Sequence, residues 1–139
     1  MASDKPGNHD VSAEILQVQS VDLPAPKGHY APGISHGGVL YVSGQLGRVA
    51  DMSDDEAGDI VVQTRRALAS LAAVLHAGGA DLSTLLKVNI YVSDVAHWPA
   101  VNAEYARILG AHRPARSIVP TGALHFNALV EIDAIAAVL

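Results

Sequence analysis

Apolar residues recur along this chain at two spacings, one of two residues and one of three to four. Residues 14–19 alternate, with Leu16 and Val18 on one face and Gln17 and Gln19 on the other, which predicts a first strand. Residues 22–33 hold Pro24, Pro26, Gly28, Pro32 and Gly33 and predict a loop whose one large aromatic is Tyr30. Residues 34–44 read as a hairpin: Gly37-Gly38 suits a two-residue turn at positive φ, and the second arm is β-branched and aromatic. The clearest helix is residues 59–77. Ile60, Val61, Thr64, Ala67, Leu68, Leu71, Val74 and Leu75 make its apolar stripe, Gln63, Arg65, Arg66, Ser70 and His76 lie off it, and Gly78-Gly79 ends it. Residues 85–93 alternate again. A second helix over 97–109 tolerates Pro99 in its first turn, packs through Trp98, Val101, Tyr105 and Ile108, and stops at Gly110. Residues 116–119 form a short strand, 120–127 a loop and 128–138 the last strand. The order β-β-β-α-β-α-β-β implies an α+β fold, a mixed sheet with both helices packed on one face.

The last strand is apolar on both sides. Val130, Ile132, Ala134, Ala136 and Val138 fill one face, while Leu129, Ile135 and Ala137 share the other with Glu131 and Asp133. A two-layer domain leaves that second face open to water. An apolar open face marks an interface, so the chain is expected to assemble with copies of itself.

Composition narrows the class. At 139 residues, half of them hydrophobic, the chain suits one globular domain over 14–139 after a flexible polar tail at 1–13. A net charge of -5 argues against nucleic acid as the main partner, and the Arg65-Arg66 pair reads as a solvated helix face. There is no Cys, which excludes thiolate sites and cysteine nucleophiles. The seven His include no i, i+4 pair, so no metal is expected. No apolar run is long enough to span a membrane, and the first residues lack the apolar core of a signal peptide. A cytoplasmic location is the expectation. The acidic run Asp51, Asp54, Asp55, Glu56, Asp59 lacks the order of a calcium loop and reads as a solvated loop before a helix.

Three charges stand where core is expected. Arg116 starts a short apolar strand, and Glu131 and Asp133 share one face of the last one. A buried charge is costly unless paired or in use. An Arg fork matches a carboxylate, whereas a half-buried carboxyl has a raised pKa suited to proton transfer. The competing reading is an internal pair between Arg116 and one of the two acids. Tyr30 in its loop, Ser43 near a strand end and Asn102 beside the second helix's stripe are further binding candidates, each with a plain packing or capping alternative. Ser43 lacks the surroundings of a nucleophile elbow, and no phosphate loop is present.

Several stretches taken together resemble one family. They are Gly28-His29-Tyr30, Tyr41-Val42-Ser43-Gly44-Gln45, Ala77-Gly78-Gly79-Ala80, Val88-Asn89-Ile90-Tyr91-Val92-Ser93-Asp94, Val101-Asn102-Ala103-Glu104-Tyr105, Arg113-Pro114-Ala115-Arg116-Ser117 and Val130-Glu131-Ile132-Asp133-Ala134-Ile135-Ala136. In this order they are similar to the Rid proteins, reactive intermediate deaminases, also called the YjgF family, from about Ile15 onward. The resemblance implies a chorismate-mutase-like fold and a homotrimer with sites between subunits. It also implies cofactor-free hydrolysis of enamines and imines, such as 2-aminoacrylate or 2-iminopropanoate, to 2-keto acids and ammonia. By position, Arg116 would bind the substrate carboxylate and Glu131 would hold or activate water. Tyr30, Ser43 and Asn102 would shape the pocket. Two stretches depart from the family: Ile118 stands where many members have Cys, and residues 120–127 read differently. The alternatives are a deaminase dedicated to one catabolic unsaturated amino acid, or a non-catalytic trimer that binds small carboxylates or acts as a chaperone.

Overall fold

The computed structural model of the chain describes residues 14–139, and the tail expected at 1–13 lies outside them. Six strands form one sheet: β1 (Leu16–Val18), β2 (Gly33–His36), β3 (Val39–Leu46), β4 (Leu85–Val92), β5 (Ala115–Pro120) and β6 (Val130–Ala137). Their spatial order is β1-β2-β3-β6-β4-β5. Every neighbouring pair is antiparallel except β4–β5. That parallel pair needs a crossover, and helix α3 (Trp98–Leu109) supplies it. The sheet is therefore mixed, as the pattern predicts.

The hairpin turns where the glycines allow it. Gly37 and Gly38 take φ of 60° and 79°, and His36 pairs with Val39 directly across the turn. Against β6, strand β3 carries one extra residue between Val42 and Gln45, a bulge that contains Ser43 and Gly44. The acidic segment expected as loop contains a short helix, α1 (Asp54–Ala57). Ser53 and Glu56 close a capping box there, a local signal strong enough to nucleate one turn. Asp59 then caps α2 (Ile60–Ala77) by accepting from the Val62 N–H.

Helix α2 packs across β3 and β6 with α3 beside it, so both long helices cover one sheet face. Leu40, Leu68, Leu71, Leu75, Leu85, Ile90 and Ile132 are fully buried between the layers. Each contributes about 2 kcal/mol of apolar burial. Two off-stripe residues of α2 differ from expectation. Gln63 is buried: its amide donates to the Gly58 carbonyl (3.1 Å) and accepts from the Leu129 N–H (2.9 Å), tying the helix start to the entry of β6. Arg66 is no solvated face either, since it donates to the carbonyls of Gly47, Ala57 and Glu56. Trp98, expected to pack, is 42% exposed at the start of α3. No helix of the described residues is long and apolar enough to cross a membrane.

Helices α2 and α3 are joined by charge as well as packing. Glu104 is buried and accepts from Arg107 at 2.6 and 2.9 Å and from Arg65 at 3.0 Å. Hydrogen bonds from Arg107, then from Arg65, hold its carboxyl at about 2, below the ordinary 4.5. A depressed carboxylate stabilises the fold above its unfolded pKa, and that stability is lost as pH falls through the folded value. The urea midpoint of the wild type should therefore exceed that of Glu104→Gln above pH 4.5, and the gap should close towards pH 2. A gap independent of pH would show that the carboxylate's charge is not what matters.

Candidate functional site

Arg116 lies opposite Val88 in the β4–β5 register, and Val88 is fully buried beneath the helices. The Arg116 side chain is therefore on the helix side of the sheet, at its edge strand. Its Cζ stands 4.8 Å from the Tyr105 ring centroid and 5.8 Å from that of Trp98. These faces can hold a guanidinium without neutralising it. Among the described residues Arg116 has no ion pair, so the internal pair with Glu131 or Asp133 does not form. A cleft of about 510 Å³ opens beside it, lined by Asn102, Tyr105, His112, Arg113, Pro114 and Arg116. The Tyr105 hydroxyl is buried there without a hydrogen-bond partner, and burial pushes its pKa up while Arg116 pulls it back.

Glu131 lies on the other side of the sheet. It pairs with Leu46 of β3 and Tyr91 of β4, in the row that alternates with the buried Val130 and Ile132. Its carboxylate rests against the bulge at Gly44. A Cβ at that position would come within 2.9 Å of Glu131 Cδ and closer still to Oε2. Only a residue without a side chain leaves the acid its place. Burial first, and then the charge of Asp133, push the Glu131 pKa up, and His125 opposes them. Asp133 is committed to structure: it accepts from Asn89 Nδ2 at 2.8 Å and from the Tyr91 hydroxyl at 2.9 Å.

A second cavity of about 450 Å³ borders this bulge, and Tyr30, Gly44, Gln45, Arg48, His125 and Phe126 line it. Ser43 works on its loop: the hydroxyl donates to the Ala31 carbonyl at 2.7 Å, and the Ser43 N–H donates to that of Pro32 at 2.9 Å. It fastens the segment that carries Tyr30. Among the described residues no cluster of three His, Asp or Glu could hold a metal ion.

The predicted residues thus fall into two groups. Asn102 joins Arg116 on the helix side, while Tyr30 and Ser43 gather near Glu131 around the bulge. One chain does not bring the two groups together. The sequence reading did not find Gly44, His125 or the ring seat under Arg116. A lone Gly inside a strand pattern is a signal for a bulge and could have pointed to the first. Nothing in the loop pattern marks His125.

Comparison with known proteins decides the family. The family model described as endoribonuclease L-PSP, that of the Rid or YjgF proteins, matches residues 21–138. The chain belongs to the Rid family. A RutC family protein of Pyrococcus horikoshii is 35% identical over 115 residues, covering 83% of this chain and 91% of the relative. A 2-iminobutanoate/2-iminopropanoate deaminase of Dermatophagoides farinae is 34% identical over 112 residues, 81% and 88% of the two chains. The crystal structure of the E. coli YjgF gene product superposes with a TM-score of 0.78 at 27% identity, covering 88% of this chain and 98% of that one. The Rid fold and the arrangement of sheet and helices described above agree.

Proposed function

We propose that this Rid protein is a cofactor-independent hydrolase of enamine and imine intermediates, working in a homotrimer whose sites pair Arg116 of one copy with Glu131 of another. The observation that carries the reading is the uncommitted Arg116, seated on rings rather than on an acid, beside a cleft that also holds Asn102. A cation kept free of its own chain's carboxylates is suited to bind a small one from outside. Because Glu131 occupies the opposite sheet face, a complete site needs a second copy to bring its bulge against that cleft. The open face, with Tyr41 47% exposed beside Ile135, is the surface such copies would cover.

The chemistry needs little more. An iminium carbon is already electrophilic, so neither a covalent nucleophile nor a metal has to activate it. Arg116 fixes the carboxylate, Glu131 takes a proton from the attacking water, and Tyr30, Ser43 and Asn102 shape the pocket. The raised pKa of Glu131 makes its carboxylate a stronger base towards the attacking water. The name of the Dermatophagoides relative points to the same substrate class. The family description also names a ribonuclease, but a chain with net charge -5 is poorly suited to gather phosphates.

The test is release of ammonia and 2-keto acid from an imine generated in situ by an amino-acid oxidase. The wild type should accelerate it well beyond spontaneous hydrolysis. Arg116→Ala should lose about 10²-fold in kcat/KM, the worth of two charge-assisted hydrogen bonds, with its assembly unchanged by light scattering. A wild type that binds a 2-keto acid at Arg116 without accelerating the reaction would replace this proposal with the carboxylate-binding reading.

A further inference from the structure

The turn before β6 is strained beside the second cavity. Phe126 and Asn127 both have φ of 57°, and they are the only described non-glycine residues at positive φ. A left-handed aromatic costs on the order of 1–2 kcal/mol and persists where surrounding contacts enforce it. Here the Asn127 N–H donates to the Leu124 carbonyl and the Ala128 N–H to that of His125, both at 3.1 Å. The turn lays the Phe126 ring against the His125 imidazole, with centroids 3.8 Å apart, and sets both in the wall that Gly44 shares. The Glu131 carboxylate rests on that same glycine. Among the described residues neither ring nitrogen of His125 has a hydrogen bond, whereas His112 is tied to the Leu85 carbonyl.

We propose that His125 is the second proton-handling group of this site, coupled across Gly44 to Glu131. The inference rests on the deaminase reading for its chemistry, but not for the pairing itself. Other groups face the pair. Asp133 and Tyr91 flank Glu131, and they are bonded to each other. Lys27, Arg48, Asp51 and Tyr30 line the cavity of His125, with Arg48 committed to Asp54 and the Met52 carbonyl. Stacking on Phe126 restrains the imidazole, and a cationic His125 favours the ionised form of Glu131 against the cost of its burial.

The division of labour balances. Water attacks the iminium carbon and Glu131 takes one of its protons, leaving a neutral carbinolamine. Protonated His125 gives its proton to the amine, the carbon–nitrogen bond breaks, and ammonia leaves with the pair of electrons. The remaining hydroxyl proton returns to His125 as the carbonyl forms. Glu131 passes its proton to ammonia, so iminium and water become keto acid and ammonium, with both side chains restored.

The test titrates His125 by NMR in the wild type and in Glu131→Gln, with His125→Gln to assign the resonance. Removing the carboxylate charge should move the imidazole midpoint downward, since the two opposite charges favour each other. An unmoved midpoint overturns the pairing whether or not the protein hydrolyses imines. In the same imine assay, His125→Gln should lose the alkaline limb of the kcat profile, and added imidazole should restore part of the rate. A moved midpoint with an unchanged alkaline limb overturns the proton role. A moved midpoint in a wild type with no turnover supports the coupling and sinks the deaminase reading instead.

Discussion

Arg116→Ala and Glu131→Gln, each slowed about 10²-fold or more alone, should regain about a quarter of the wild-type rate when the two are unfolded together and refolded as a mixture. The reason is placement. Arg116 faces the helix side of the sheet through its register with Val88, and Glu131 faces the open side through its register with Tyr91. If each site takes Arg116 from one copy and Glu131 from the next around a cyclic trimer, every mixed trimer contains one interface with both groups intact. Random mixing makes about three-quarters of trimers mixed, and one in three of their sites works. The measurement is imine hydrolysis by the mixture against each variant refolded alone. A mixture as inactive as its parts would show that both groups act from one chain, or that no such interface forms.

Gly44→Ala should cut turnover sharply while leaving the fold intact. The added methyl would occupy the place of the Glu131 carboxylate and push this flexible acid off its seat against the bulge. Gly44 is not among the glycines at positive φ, so alanine strains no backbone there and shortens the list of unfolded conformers. The expected loss is about 10²-fold or more in kcat, the ordinary worth of a positioned general base, with a melting temperature close to that of wild type. Combining Gly44→Ala with Glu131→Gln should cost no more than Glu131→Gln alone, because both remove the same group. Full additivity would mean that Gly44 acts through something other than the acid.

Much of this fold is legible in the pattern of the chain. The stripe from Ala67 to Leu75 and the alternation of Val88, Ile90 and Val92 record burial directly, and these residues are buried where expected. Gln63 and Arg66 are misread by periodicity because their partners are backbone carbonyls and an N–H distant in sequence, which no helical spacing encodes. Arg116 and Glu131 stand out because charge in an apolar strand is anomalous from sequence alone. Their separation by the sheet is not visible that way. It depends on the parallel pairing of β5 with β4 and the antiparallel pairing of β4 with β6, and strand order is a tertiary fact. His125 is hidden for a similar reason: it lies beside the left-handed turn at Phe126 and Asn127, in the wall of the cavity that Gly44 also lines, and no local pattern encodes that placement.

The two-sided placement of Arg116 and Glu131 bears on the life of a newly made chain. On the proposed arrangement, a protomer fresh from the ribosome carries every group the reaction requires and can perform none of it. The working cleft comes into being only at the moment of docking. Dilution alone would then silence the protein without unfolding it.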